Sequence, residues 1–91
     1  MHEIRVEHNP SPAKLEVIGV YDWPIWTKEV SRFPWTYEAK EICYFLEGEV
    51  IVTPEGGKPV TLRTGDFVTF PAGLSCTWDI REPVRKHYDF D

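Results

Sequence analysis

Apolar and polar positions along the chain alternate with the spacing of strands. Phe33, Trp35 and Tyr37 fall on one face of a period-two pattern, with Arg32, Pro34 and Thr36 on the other. Ile42 to Leu46 is a continuous apolar run, the pattern of a strand buried on both faces. Glu47-Gly48 interrupts it, Val50 to Val52 resume it, and Gly56-Gly57 mark the next turn. Val60 to Leu62, Phe67 to Phe70 and Ser75 to Ile80 read as further strands, divided by Thr64-Gly65-Asp66 and Pro71-Ala72-Gly73. Glu82-Pro83 predicts one more break before a closing strand, Val84 to Phe90. Leu15 to Val20 is expected as the first strand, preceded by an extended arm over residues 1–14 that carries Asn9, Pro10, Ser11 and Pro12. Pro24 and Pro34 exclude a long helix between them. Turn signals about every eight to twelve residues predict an all-β sandwich or barrel.

Composition bounds this picture. Ninety-one residues make one domain, taken as residues 1–91. A formal net charge of −5 argues against sequence-independent nucleic-acid binding, which needs a basic face. No run is apolar enough to span a membrane, and Met1 to Lys14 lacks the apolar segment of a signal peptide. The expectation is a cytoplasmic protein with neither nucleic acid nor membrane as partner. Cys43 and Cys76 are too few for a disulfide framework and are expected as reduced, buried thiols. A domain this small gains from further burial, so a homodimer is expected.

Two blocks narrow the fold. Glu41-Ile42-Cys43-Tyr44-Phe45-Leu46-Glu47-Gly48 is similar to the end of the first cupin motif, G-x5-H-x-H-x3,4-E-x6-G, with Glu41 as the acid and Gly48 as the last glycine. Gly65 to Cys76 is similar to the start of the second motif, G-x5-P-x-G-x2-H-x3-N, with Gly65, Pro71 and Gly73 in register. Trp23-Pro24-Ile25-Trp26, Phe33-Pro34-Trp35, Phe70-Pro71-Ala72-Gly73-Leu74 and the ending Pro83 to Tyr88 further resemble the small single-domain cupins of the EutQ-like, ethanolamine-utilisation-related group. The resemblance implies a double-stranded β-helix, or jelly-roll cupin barrel, with Glu41, Cys43 and Phe45 directed inward. It implies no particular reaction, because fold does not carry function.

The departures from the motifs shape the expected site. Metal-binding cupins join two histidines and a glutamate of the first motif to a histidine of the second. Here those histidine positions hold Trp35, Tyr37 and Cys76, the terminal asparagine position holds Ile80, and Glu41 alone is kept. His2, His8 and His87 lie outside both motifs. The expectation is a cavity without metal or other cofactor, lined by Trp35, Tyr37, Glu41, Cys43, Phe45, Cys76 and Trp78. The alternative is a divalent transition metal on Glu41, Cys43 and Cys76, with Tyr37 or His87 in support, since thiolate and carboxylate suit zinc.

A carboxylate at position 41 is costly to bury unless it is paired, and Tyr37, Arg85 and Lys86 are its candidate partners. Otherwise Arg81, Arg85 and Lys86 read as a solvated edge. Trp23, Trp26, Phe33, Trp35 and Trp78 read as core and dimer packing, or as a stacking platform for a sugar. Three classes of function follow. The first is binding of a small polar metabolite. The second is a metal-independent isomerase, epimerase or lyase working through Glu41 and Tyr37. The third is a structural or interaction subunit. Binding stands ahead of catalysis, because proton transfer needs a second tuned group beside Glu41 and Tyr37 ordinarily titrates high.

Overall fold

A computed structural model describes residues 3–90; His2 lies outside them. Among the described residues seven strands carry the fold: β1 (Arg5–His8), β2 (Ile25–Lys28), β3 (Ser31–Thr36), β4 (Glu41–Pro54), β5 (Val60–Arg63), β6 (Asp66–Phe70) and β7 (Ser75–Phe90). Their pairings are antiparallel. The order is β1-β6-β4-β7-β2, with β3 also on β7 and β5 also on β4. The long strands β4 and β7 run through the whole sheet and wrap it around one core, which joins Val50, Val52, Leu62, Val68, Ile80 and Val84 to Phe45, Phe70 and Trp78. The fold is the all-β double-stranded β-helix. Among the described residues no helix is long and apolar enough to cross a membrane.

Four sequence expectations need correction. Leu15 to Val20 is not a strand: α1 (Pro12–Ile18) occupies this stretch, followed by a 3-10 turn over Val20–Asp22. The helix has a cap at each end. The Ser11 hydroxyl accepts from the Lys14 amide at 3.2 Å, Pro12 opens the first turn, and Gly19 closes the last with φ of 80°. These signals outweigh the β-branched residues that suggested a strand. Only Leu15 of the helix is buried, while Val17 is 87% exposed. The expected arm is likewise structured in part, since β1 pairs with β6.

The run Ile42 to Leu46 is not buried on both faces. Glu41, Cys43 and Phe45 are buried, whereas Ile42, Tyr44 and Leu46 are half-buried. Their outer face is only partly covered: Ile42 borders a surface groove with Ile18 and Trp23.

The breaks expected at Glu47-Gly48 and Glu82-Pro83 are not strand ends. β4 and β7 continue through both, with register shifts between Phe45 and Val50. Each interruption answers the other. Gly48 has φ of 105°, and a Cβ there would lie 2.4 Å from the Pro83 carbonyl oxygen. Glycine permits this close crossing, and the irregular register absorbs a proline that a regular ladder would reject.

Candidate functional site

Alternation along three strands brings the site together. On β4, Glu41, Cys43 and Phe45 face the core. On β7 the buried residues include Cys76, Trp78, Ile80, Val84 and Lys86. β3 supplies Phe33 and Trp35, opposite Trp78 and Cys76 in the ladder, and Tyr37 follows it. A cavity of about 220 Å³ opens among these strands, lined by Trp26, Phe33, Trp35, Tyr37, Glu41, Trp78, Lys86, Tyr88 and Phe90. Seven of those nine side chains are aromatic.

The two charged groups of the lining hold each other. Lys86 Nζ donates to Glu41 Oε2 at 2.5 Å, and both side chains are buried. The ammonium also lies 5.1 Å from the Trp26 ring centre and 5.2 Å from that of Trp78, with the Phe70 and Tyr88 rings at 6.0 Å. Ring faces are electron-rich, so each attracts the cation. A carboxylate and four rings therefore replace the water that Lys86 loses on burial. The expectation of a solvated Arg81-Arg85-Lys86 edge is corrected for Lys86, which is 4% exposed; Arg81 and Arg85 do face solvent.

Trp78 organises the rings. It meets Trp26 edge to face at 5.7 Å and stacks near Phe33 and Phe45 at 6.1 and 6.3 Å. Tyr37 stacks on Phe70 at 4.7 Å. The buried Trp78 Nε1 has no hydrogen-bond partner among the described residues, although it lies close enough to Tyr37 and Cys76 to favour their ionised forms slightly. Burial wins at both. It drives the Tyr37 hydroxyl far above its ordinary range, with further raising by Glu41, Cys43 and Cys76. Cys76 is pushed up to about 11. Burial raises Cys43 to about 12, Lys86 opposing and Glu41 adding. Tyr37 is thus a firmly held neutral phenol, and both cysteines are protonated, poor nucleophiles at neutral pH.

Of the residues predicted for the cavity, Trp35, Tyr37, Glu41 and Trp78 border it. Cys43 and Phe45 belong to the fully buried core and stand outside the lining. Cys76 borders a different groove with Thr36, Thr53 and Ser75, and its thiol points to the Trp35 carbonyl at 3.6 Å. His87, the neighbour of Lys86, alternates away: its Nδ1 donates to the Trp23 carbonyl at 2.9 Å. From the sequence, Trp26 and Phe33 entered only as core packing or a stacking platform, Lys86 only as one candidate partner of Glu41, and Tyr88 and Phe90 were missed as lining residues. The signal was the period-two series Val84, Lys86, Tyr88, Phe90, which places a lysine among apolar neighbours.

Residues at the cupin metal positions do not fit a transition metal. Among the described residues no three His, Cys, Asp or Glu side chains converge on one point, so Glu41, Cys43 and Cys76 make no ligand set. Glu41 already holds a cation, and the thiols keep their protons.

The chain was compared with known proteins. None of the curated proteins matches it. A DUF861 family protein from Thermotoga maritima is 53% identical, with a TM-score of 0.94 over 98% of this chain and 100% of that one. A putative ethanolamine utilization protein Q from Salmonella typhimurium is 32% identical, with a TM-score of 0.65 over 72% of this chain. This chain accounts for 53% of that protein. A predicted oxalate decarboxylase, also from Thermotoga maritima, is 20% identical with a TM-score of 0.57 over 97% of this chain and 79% of that one, a likeness of fold alone. The family model for the EutQ-like cupin domain matches residues 15–88. By motif, barrel and family match, the chain belongs to the EutQ-like cupin domain family.

Proposed function

We propose that this cupin is a binding module for a small metabolite, held in the aromatic cavity with the Glu41–Lys86 pair as its polar anchor. The observation that carries this reading is the lining itself: seven rings around one buried, hydrogen-bonded ion pair. Cavities with apolar walls and a few placed polar groups are the usual form of a small-molecule site. At about 220 Å³ the space suits a compact metabolite. Proton-transfer chemistry is less well served. Tyr37 holds its proton far too tightly for a base, and Glu41 is occupied by Lys86.

Two further proposals concern the setting. Exposed Trp35, Phe90, Ile25 and Val30 favour a homodimer that covers some of them. Two free, buried thiols suit a reducing compartment such as the cytoplasm.

Native mass spectrometry and thermal shift with a panel of compact metabolites test the binding reading. A metabolite that raises the melting temperature of the wild type, but not of a Tyr88→Trp variant whose cavity is filled, supports it. Failure of the whole panel at millimolar concentration, with soaked crystals showing an empty cavity, overturns it.

A further inference from the structure

We infer that the Glu41–Lys86 pair makes the cavity selective for an uncharged ring that carries neighbouring hydroxyl groups, such as a neutral monosaccharide or cyclic polyol. This inference rests on the binding reading above and deepens it.

The pair is a complete charge unit. Lys86 Nζ gives one N–H to Glu41 Oε2 at 2.5 Å and has the Trp26 and Trp78 rings within 5.2 Å. A carboxylate or phosphate entering the cavity would compete with Glu41 for the one ammonium. It would bring a second negative charge into a space walled largely by rings, where few polar groups can replace its water. An ammonium ligand meets the converse obstacle, because Lys86 already holds the one carboxylate. The same argument applies to a metal cation.

An uncharged ligand has no such conflict. Lys86 engages Oε2, so the second carboxylate oxygen is not used by that bond, and Glu41 itself borders the cavity. The remaining ammonium hydrogens are donors. Acceptor and donor stand side by side, and two adjacent hydroxyls, one donating and one accepting, match them. Tyr37 adds a neutral phenol to the same lining. The walls supply the other half of the match. Phe33 is only half-buried and Trp35 is exposed, and both border the cavity with aromatic carbon surface. The C–H face of a sugar ring packs on such a surface, while its hydroxyl edge reaches the pair.

The test is a charge series at constant shape, followed by calorimetry or native mass spectrometry: galactose, galacturonate, galactosamine and cyclohexanol. The wild type is expected to bind galactose at least tenfold more tightly than the acid or the amine. Glu41→Gln leaves the ammonium without its counter-charge and is expected to reverse the order, with galacturonate at least tenfold ahead of galactosamine. Lys86→Met is a poor single variant, because it strands a buried carboxylate. The double variant Glu41→Gln, Lys86→Met removes both charges at near-constant shape and is expected to bind galactose at least tenfold more weakly than the wild type, because the charged donor and acceptor are gone. A wild type that prefers galacturonate, or a Glu41→Gln variant that leaves the order unchanged, overturns the inference. Binding of cyclohexanol with no binding of galactose overturns it too, yet leaves the cavity as a binding site. Absence of binding by every probe overturns the inference, and the wider metabolite panel above then decides the binding reading.

Discussion

Val50, Val52, Leu62 and Ile80 fill one part of the barrel core with aliphatic carbon, while Trp78 and its neighbouring rings frame an open space in another. Both parts are built on β4 and β7. In the first, Val50 stands opposite both Leu62 and Ile80, and all three are fully buried. In the second, Phe45 stands opposite Lys86, and Glu41 opposite Phe90. The irregular crossing of Gly48 over Pro83 lies between them. Aliphatic side chains interdigitate and leave no room. Flat rings that must also surround an ammonium pack less completely, and the remainder is a cavity. One part accounts for stability through burial, and the other sets a buried ion pair beside the cavity.

The largest expected effect separates the two parts by how each responds to repair. Lys86→Met is expected to cost about 3–5 kcal/mol, because Glu41 is left buried and uncompensated. Adding Glu41→Gln is expected to recover most of that loss, since neutral isosteres often replace a buried pair at little cost. Urea unfolding of the two single variants and the double variant measures the coupling. Leu62→Ala in the aliphatic part is expected to cost about 2–5 kcal/mol by the same assay, with no second charge change able to restore it.

Gly48→Ala tests the crossing between the parts. Strain at positive φ and overlap with the Pro83 carbonyl are each worth roughly 1–3 kcal/mol. The expected result is a fall in melting temperature together with altered amide shifts on both sides of Gly48. Melting like the wild type with unchanged shifts would show that β4 and β7 are not held so closely there.

The smallest expected effect is a slope with pH. Cys43 is raised to about 12 in the fold from an ordinary value near 9. The unfolded chain therefore loses its thiol proton first as pH rises. Above about pH 9 the folded state binds more protons, so stability falls with pH, by roughly 1 kcal/mol per pH unit until the folded value is passed. Below pH 9 this contribution is fully present. Cys43→Ala is expected to lessen the slope without abolishing it, because Cys76, raised to about 11, contributes in the same sense. Urea unfolding at intervals from pH 8 to pH 11 checks both statements.

These contrasts also show what the sequence could and could not reveal. The rhythm of turns gave the barrel, and the spacing from Glu41 to Gly48 and from Gly65 to Gly73 gave its kind. Trp35, Tyr37, Glu41 and Trp78 were legible as cavity residues from alternation and motif register. Helix α1 was hidden because Val17 and Ile18 look like strand residues, although Ser11-Pro12 and Gly19 carry the caps. The continuity of β4 and β7 was hidden because Gly48 and Pro83 each look like a break when read alone. They make sense only as partners across the sheet, and that pairing is a tertiary fact. Lys86 was hidden for a related reason. Its neighbours in sequence include Arg85 and His87, which point elsewhere, whereas the rings that hold it come from other strands.

The claim at the centre of this account is that a ligand enters the aromatic cavity and meets the Glu41–Lys86 pair. An NMR titration with galactose follows this most directly, using protein labelled at the lysine ammonium and tryptophan indole nitrogens. The account predicts that Lys86 Nζ and Trp78 Nε1 shift together along one saturable curve, while the outward-facing Lys58 stays fixed. Saturable shifts confined to groups outside the cavity, with Lys86 and Trp78 unmoved, would contradict it.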